Sequence, residues 1–184
     1  MFNNLKYKIR PLTVEDAKKA ALLYAYCSRY DDYFRKKFGS DSVELDILKQ
    51  FSPDVMNAIK HGNSLGCFYK DQLVGYLFAF SVMDWRNNHK EELERIFGDS
   101  DSFLDTVTTT VMLDKTDVMY MFAVGVSDNH RCRGIATNMI KKMVSLYGKD
   151  YTLFSDATHA SAMPMWLSNG FIEMTVNDVR MVKR

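Results

Sequence analysis

The most informative part of the sequence is Val124-Gly-Val-Ser-Asp-Asn-His-Arg-Cys-Arg-Gly-Ile-Ala-Thr137, which has the pattern of a strand end, a tight polar loop and a helix start. The loop closes on Arg131-x-x-Gly134-x-Ala136. At a helix N-terminus the first backbone N–H groups have no partner within the helix, and the helix dipole favours negative charge. An ordinary corner with two solvated arginines is the alternative, but the pattern is typical of a loop that binds phosphate.

Two better-known phosphate loops, Gly-x-x-x-x-Gly-Lys-Ser/Thr and Gly-x-Gly-x-x-Gly, do not occur in the sequence. The loop after the strand has a single glycine, Gly134, with Arg131 and Arg133 close to it. This pattern resembles the signature of the GNAT N-acetyltransferase superfamily, which is Arg/Gln-x-x-Gly-x-Gly/Ala after a strand. The resemblance implies that the pyrophosphate of coenzyme A lies on this loop.

A second pattern follows one strand later in the sequence, and it reads His159-x-x-Ala162-x-x-Met165-Trp166-x-x-x-Gly170-Phe171. It is similar to the second GNAT motif, in which Asn, Leu and Tyr occupy the positions of His159, Met165 and Trp166. A helix with a glycine C-cap and a core Phe would give the same pattern. Two motifs in the right order are more specific than either one, and the resemblance extends over essentially the whole chain.

The resemblance implies an α/β chain with the GNAT fold, in which a central mixed, mostly antiparallel twisted sheet is flanked by helices on both faces. It implies one domain over residues 1–184 and acetyl-CoA as the cofactor. The strand before the loop would align the pantetheine, and a backbone N–H near Val124 would polarise the thioester carbonyl. The expected cofactor-binding residues are Ala123, Val124, Val126, Arg131, Cys132, Arg133, Gly134, Ile135, Ala136, Thr137, Ala162, Met165 and Trp166.

The acid and base of the reaction are less clearly marked. In many family members the tyrosine at the position of Trp166 protonates the departing thiolate, which an indole N–H cannot do. A thiol with a pKa of about 8.5 leaves tolerably without an acid. An acidic position of histone-type members falls on Tyr120, and Asp156, Asp117 and His159 are further candidates for proton transfer. We name Tyr120, Asp156 and His159 as the catalytic set, although solvated or capping roles remain open for each.

Composition limits the function classes. Lys and Arg number 24 and Asp and Glu 23 among 184 residues, and this net charge of +1 argues against a dedicated nucleic-acid binder. The three cysteines lack a Cys-x-x-Cys pattern, so we expect no disulfide framework, no metal site and a reducing, cytoplasmic compartment. Residues 1–10 lack a signal-peptide core, and no apolar run approaches the length of a membrane span. A homodimer is left open.

Hydrophobic periodicity and turn residues predict the secondary structure. Thr13 is expected to cap the first helix in a capping box with Asp16. The expected elements are a strand over 7–11, helices interrupted at Gly39 and Pro53 within 28–60, a hairpin of strands 63–69 and 73–83 with a close approach or bulge at Gly75, one or two helices within 84–117 including 91–97, a strand over 118–126, a helix over 136–147, a strand over 151–155, a helix over 160–168 and one last strand over 172–182.

Two functions from different classes fit these patterns. The first is an acetyltransferase that acts on a small amine or a peptide N-terminus by direct attack in a ternary complex. The second is an acyl-CoA-binding module or sensor without efficient turnover, which Trp166 and Tyr120 keep open. Acidic residues interleaved with aromatics favour a cationic amine, unless the carboxylates are solvated and the rings are core. These residues are Asp31, Asp32, Asp84, Tyr30, Tyr33, Phe34 and Trp85.

Overall fold

The computed structural model describes residues 7–39, 43–91, 117–156, 162–176 and 179–184. Its strands are β1 (Lys8–Pro11), β2 (Leu65–Tyr69), β3 (Gln72–Ser81), β4 (Asp117–Val126), β5 (Tyr151–Asp156), β6 (Ile172–Val176) and β7 (Val179–Lys183). Its helices are α1 (Ala17–Ser28), α2 (Asp32–Phe38), α3 (Val43–His61), α4 (Val82–Asn88), α5 (Ile135–Tyr147) and α6 (Met163–Ser168). Short 3₁₀ turns lie at Val14–Asp16 and Asp128–His130.

The chain forms two compact units. The first consists of residues 1–78 and 124–139, and the second of residues 79–123 and 140–184. Strands β3 and β4 each contribute residues to both units. The assignment of residues 1–184 to a single domain stays a prediction.

The first unit contains an antiparallel run of strands. β1 pairs with β2, and β2 pairs with β3 through a turn at Lys70 and Asp71, whose φ angles are 47° and 63°. Positive φ at both turn residues gives a twist that suits a two-residue hairpin. The register shifts after the pair Cys67–Gly75. A β-carbon at Gly75 would lie 3.3 Å from the Gly125 carbonyl oxygen, so the predicted hairpin and close approach are confirmed.

Helix α1 packs against α3 in the same unit, and the predicted capping box fixes the 3₁₀ turn at Val14–Asp16 that leads into α1. The Thr13 N–H donates to the Asp16 carboxylate at 3.0 Å, and Arg10 Nη1 donates to the same oxygen at 2.6 Å. The hydrogen bond from Arg10, chiefly, lowers the pKa of Asp16 to about 2. The carboxylate therefore stays ionised at neutral pH and caps the helix.

The second unit contains the parallel pair that the strand–helix–strand order predicts. β4 pairs with β5 from Asp117 opposite Tyr151 to Tyr120 opposite Phe154. β7 pairs antiparallel with both β5 and β6. Phe80 stacks on Trp85 at 4.2 Å between ring centroids inside this unit. The predicted α/β class with a mixed, mostly antiparallel sheet is confirmed.

Three sequence predictions are wrong in detail. Pro53 does not interrupt the helical region, because α3 runs through it from residue 43 to residue 61. The second hairpin strand ends at Ser81, whose hydroxyl accepts the Asp84 N–H at 3.0 Å and starts α4, so residues 82 and 83 are helical. The single last strand is two strands, with Val176 opposite Val179. The overlooked signal was Asn177-Asp178, residue types that favour turns.

The remaining predicted elements agree with the structure where it describes them. The strands over 7–11, 118–126 and 151–155 and the helix over 136–147 are present within a residue or two of their expected bounds. Residues 92–97 of the predicted helix over 91–97 and residues 160 and 161 of the predicted helix over 160–168 lie outside the described residues. No helix in the described ranges is both long and apolar enough to cross a membrane.

Candidate functional site

The predicted phosphate loop joins β4 to α5 in the first unit. Its start is fixed to the sheet, because the Ser127 N–H donates to the Val74 carbonyl at 2.9 Å. After the 3₁₀ turn, Cys132 and Gly134 adopt left-handed conformations with φ angles of 58° and 72°. Such angles are uncommon for residues other than glycine and often mark functional sites. The backbone of this loop is thus specialised at two positions, Cys132 and Gly134.

The loop presents a row of open donors at the start of α5. The Gly134 carbonyl accepts the Asn138 N–H at 2.9 Å, so the helical hydrogen bonds begin there. Within the described chain no acceptor takes the N–H groups of residues 132–134, and those of 135–137 belong to the first helical turn. The Arg131 N–H donates to the Asp128 carbonyl at 3.2 Å. The open row therefore starts at Cys132, one residue later than the pattern suggests.

The space beside Gly134 is open. A β-carbon built there would have Asn138 Nδ2, at 4.0 Å, as its nearest neighbour among the described residues. Cys132 and Arg133 are exposed on the same loop. A concave row of N–H groups with room beside it and a positive helix end can hold an anionic group such as a phosphate.

A carboxylate in the turn ties the loop to helix α1. Asp128 Oδ2 accepts hydrogen bonds from Tyr26 Oη at 2.9 Å and from Arg29 Nη2 at 2.7 Å. Asp128 Oδ1 lies 2.9 Å from Arg131 Nη2, an ion pair that lacks hydrogen-bond alignment. The hydrogen bond from Arg29, followed by that from Tyr26, lowers the pKa of Asp128. The sequence reasoning missed this cluster.

The two arginines of the motif therefore differ. Arg131 Nε donates to the Val126 carbonyl at 3.1 Å, so its guanidinium is turned back toward the strand end. Arg133 is exposed, and the described residues give it no ion pair. The structure assigns a bracing contact to Arg131 and leaves Arg133 facing solvent.

The strand that precedes the loop is closely packed at one glycine. A β-carbon at Gly125 would lie 2.4 Å from the Tyr76 hydroxyl oxygen, so any larger residue would displace that ring. Tyr76 is buried and stacks on Phe78 at 4.6 Å, and burial raises its pKa well above the usual value. The neighbouring Val124 and Val126 are half-buried. Their predicted contacts with the cofactor stay predictions.

His130 anchors the other side of the turn. Its Nδ1 lies 3.0 Å from the Tyr7 hydroxyl, and its ring centroid lies 5.3 Å from that of Tyr69. Tyr7 and Tyr69 are themselves 5.4 Å apart. This three-ring cluster holds the turn against the start of β1 and the end of β2.

The second motif lies in the second unit. Ala162 is the N-cap residue of α6, and the Met165 carbonyl accepts hydrogen bonds from Ser168 Oγ at 2.9 Å and Asn169 Nδ2 at 2.7 Å. Trp166 is 2% exposed and packs edge-on against Phe171 at 5.0 Å. Its surroundings are those of a core residue. Roles for Ala162, Met165 and Trp166 in cofactor binding stay predictions.

The structure describes the three candidate catalytic residues to different extents. Tyr120 is 3% exposed, with its ring centroid 5.5 Å from that of Phe154. Asp156 ends β5 opposite Met181, and His159 lies outside the described residues. These three residues stay predictions. Ala123, also expected at the cofactor, is a half-buried residue of β4.

Asp117, a further candidate base, has a structural role. Its carboxylate accepts the Met83 N–H at 3.0 Å and the Ser81 hydroxyl hydrogen bond, so it holds the start of α4. The capping alternative for Asp117 therefore fits the structure, and its acceptor oxygens are already occupied by donors of its own unit.

The acidic-aromatic residues do not form one exposed surface. Phe34 and Trp85 are buried in the cores of their units, which corrects the expectation that their rings face a ligand. Tyr30 is 65% exposed, but Cζ of Arg29 already lies 4.2 Å from the centroid of its ring. Asp32 and Asp84 are exposed, and the Tyr33 side chain lies outside the described part.

Comparisons with known proteins give the family. A sequence model of the acetyltransferase (GNAT) family matches residues 23–171. No curated protein matches the sequence. PaiA N-acetyltransferase of Thermoplasma acidophilum, solved in complex with coenzyme A, is 11% identical, with a TM-score of 0.62 and coverage of 97% of this chain and 98% of that chain.

Two further solved structures have the same fold. An N-acetyltransferase of Staphylococcus aureus Mu50 is 19% identical, with a TM-score of 0.58 and coverage of 96% of this chain and 98% of that chain. The polyamine N-acetyltransferase of Drosophila melanogaster, described as catalysing the formation of N-acetylagmatine, is 12% identical, with a TM-score of 0.62 and coverage of 97% of each chain. Because the family match spans most of the sequence, the chain belongs to the acetyltransferase (GNAT) family and is an acetyl-CoA-dependent N-acetyltransferase.

Proposed function

We propose that the protein transfers the acetyl group of acetyl-CoA to the primary amine of a small molecule or peptide, by direct attack in a ternary complex. The observation that carries the cofactor's placement is the row of open N–H donors that starts at Cys132 beside the unfilled space at Gly134. Backbone amides at a helix start suit a diphosphate, which needs several donors and a positive field. Arg133 adds an exposed positive charge.

The reaction forms a bond between the amine nitrogen and the carbonyl carbon and breaks the bond between that carbon and sulfur. The amine loses a proton, and coenzyme A leaves as a thiolate that takes up a proton. Burial raises the pKa of the Cys27 and Cys67 thiols to about 11, which makes a covalent intermediate on either of these two residues unfavourable. A thiol pKa of about 8.5 lets the leaving group depart without an acid.

The chain's own residues contribute alignment and proton transfer. The backbone of Ala123, Val124 and Val126 aligns the thioester arm, and positioning supplies most of the rate. Asp156 and His159 are the proposed proton acceptors. Tyr120 has the role of a hydrogen-bond donor, since a phenol with a pKa of about 10 is a poor base at neutral pH.

The acceptor is proposed to be a cationic amine. Asp31 and Asp32 place two carboxylates at the start of α2, and these would attract an ammonium group at that end of the helix, whereas the last turn carries Arg35, Lys36 and Lys37. The structurally similar Drosophila enzyme forms N-acetylagmatine, and this makes agmatine the first acceptor to test. Because Phe34 and Trp85 are buried, their rings do not support this proposal, which depends on the negative charge of Asp31 and Asp32.

The cofactor placement is tested by paired glycine variants. Gly134→Val should weaken CoA binding about 100-fold in calorimetry, because the side chain fills the space that the diphosphate needs. Gly39→Val is the matched control, since Gly39 is also left-handed, with a φ of 81°, and has no described atom within 4 Å of its built β-carbon. Unchanged CoA affinity in Gly134→Val, or equal losses in both variants, would contradict the placement.

The catalytic proposal is tested by thiol release. Acetyl-CoA is incubated with agmatine, polyamines, aromatic amines and peptides, and free CoA is measured against a protein-free control. We expect release that depends on a cationic amine and falls in Asp31→Asn/Asp32→Asn. Binding of acetyl-CoA without acceptor-dependent release from any of these amines would favour the non-catalytic binding module, whose supporting observation is the burial of Tyr120 and Trp166.

A further inference from the structure

Asp128 occupies an unusual place for a carboxylate, since it lies in the turn that leads directly into a proposed anion site. An unpaired negative charge there would repel a diphosphate. The carboxylate is instead held by Tyr26 Oη of helix α1 at 2.9 Å and by Nη2 of Arg29, the residue that follows the helix, at 2.7 Å. With Arg29 and Arg131 as its ion-pair partners, the cluster has one net positive charge.

Helix α1 supplies a stiff support for this carboxylate. The Arg29 guanidinium lies 3.5 Å above the Tyr26 ring and also donates from Nη1 to the Tyr26 carbonyl oxygen. The Arg29 side chain is only 14% exposed. A guanidinium fixed by stacking and by a backbone acceptor loses little further entropy when it binds a carboxylate.

Arg131 connects Asp128 to both ends of the turn. Its Nη2 lies 2.9 Å from Asp128 Oδ1, while its Nε donates to the Val126 carbonyl before the turn at 3.1 Å. The backbone N–H of Arg131 also donates to the Asp128 carbonyl. The residue immediately before the left-handed Cys132 is thereby fixed through its main chain and its side chain.

We propose that Asp128, braced by Arg29 and Tyr26, is a positioning residue that acts through Arg131 to hold the open N–H row of residues 132–136 in the conformation that receives the diphosphate of coenzyme A. Asp128 touches no ligand in this proposal, and the direct charge contact falls to Arg133. The inference rests on the proposed placement of the cofactor. Its basis is preorganisation, because a loop that is already ordered pays less entropy on binding.

The experiment compares two ligands in two variants. Dissociation constants for CoA and for pantetheine, which lacks the diphosphate and the nucleotide, are measured by calorimetry in wild type, Asp128→Asn and the control Asp150→Asn, an exposed aspartate of the second unit. We expect Asp128→Asn to lower the preference for CoA over pantetheine about tenfold, the order expected for one lost charged hydrogen bond. Asp150→Asn should leave this preference unchanged.

A milder variant keeps the test decisive if Asp128→Asn folds poorly. Tyr26→Phe removes one hydrogen bond to Asp128 and keeps the ring under Arg29, and it should lower the preference about threefold. Equal losses of CoA and pantetheine affinity would show that Asp128 supports only the fold, and no loss would show that it positions nothing. Either result overturns the inference. If wild type itself shows no preference for CoA, the placement of the diphosphate fails, and this inference fails with it.

Discussion

The loop after β4 and the turn after α6 carry the two family motifs, and each contains a left-handed glycine, with φ angles of 72° at Gly134 and 81° at Gly170. In the turn, the backbone donors are used locally, because the N–H groups of Asn169 and Phe171 both donate to the Trp166 carbonyl. In the described part of the chain, no acceptor takes the loop's N–H groups from Cys132 to Gly134. The same residue type thus closes a helix in one motif and keeps backbone groups available for a ligand in the other.

The surroundings of the two glycines also differ, since Gly170 is closely packed and Gly134 has space beside it. A β-carbon at Gly170 would lie 3.3 Å from Arg184 Nη1, whereas among the described residues one at Gly134 would have Asn138 Nδ2, at 4.0 Å, as its nearest neighbour. The turn is backed by the buried pair Trp166 and Phe171. We therefore expect substitutions in the turn to change stability and substitutions in the loop to change ligand affinity.

The largest effect is expected at Trp166. Trp166→Ala should lower the free energy of unfolding by about 3–5 kcal/mol, because it leaves a cavity beside Phe171. Urea denaturation measures this loss. Trp166→Phe keeps a ring and should cost little turnover, since an indole N–H is no proton donor. A fall of several orders of magnitude in the turnover of folded Trp166→Phe would contradict this account of the second motif.

The paired glycines give the next largest effect. Gly134→Ala should weaken CoA binding about tenfold, and Gly170→Ala should leave CoA affinity unchanged but destabilise the fold by about 1–2 kcal/mol through backbone strain and contact with Arg184. Thermal unfolding and calorimetry on both variants separate the two outcomes. If Gly170→Ala weakened CoA binding as much as Gly134→Ala, the contrast between the motifs would be lost.

A smaller difference in CoA affinity and stability is expected between variants of the two loop arginines. Arg133→Ala should weaken CoA binding about threefold at low salt and less at high salt, because an exposed charge is screened. Its unfolding midpoint should match that of wild type. Arg131→Ala removes the brace to Val126 and Asp128 and should lower both stability and affinity. Identical behaviour of the two variants would mean that Arg131 and Arg133 are interchangeable.

The smallest effect concerns pH. The pKa of Asp128 is lowered, chiefly by the hydrogen bond from Arg29, so its contribution is present above the unfolded pKa of about 4 and is lost as the pH falls through the folded value. The difference in the free energy of unfolding between wild type and Asp128→Asn should therefore be constant from about pH 5 to pH 8. It should shrink below about pH 4 and disappear in strong acid. Chemical unfolding across this range measures it. A difference that vanished near pH 6 would mean that Asp128 is not held by Arg29.

The sequence predicts those features that depend on local patterns. The β2–β3 hairpin, the close approach at Gly75 and the capping box at Thr13 each follow from a few neighbouring residues. The bracing of Asp128 could not be found in this way, because Arg29 and Tyr26 are 99 and 102 positions away along the chain. Only the fold brings the end of α1 to this turn.

The errors arise where tertiary structure overrides a local signal. Pro53 lacks an N–H and disfavours a helix interior, yet α3 continues through it with Ile47, Val55 and Ala58 buried on one face. Apolar packing of that face outweighs the missing hydrogen bond. Similarly, the apolar Val82 is typical of a strand, but it lies in α4 because Ser81 and Asp117 accept hydrogen bonds from the first N–H groups of that helix.

In the proposed complex, the diphosphate of coenzyme A binds the open N–H row at the start of α5. Backbone amide NMR spectra recorded during titration with CoA, and separately with pantetheine, test it most directly. We expect the amides of residues 132–136 to shift strongly downfield with CoA and hardly to move with pantetheine, while those of Asn169 to Phe171 should move with neither ligand. Unchanged amides at residues 132–136 in CoA-saturated protein would contradict this placement.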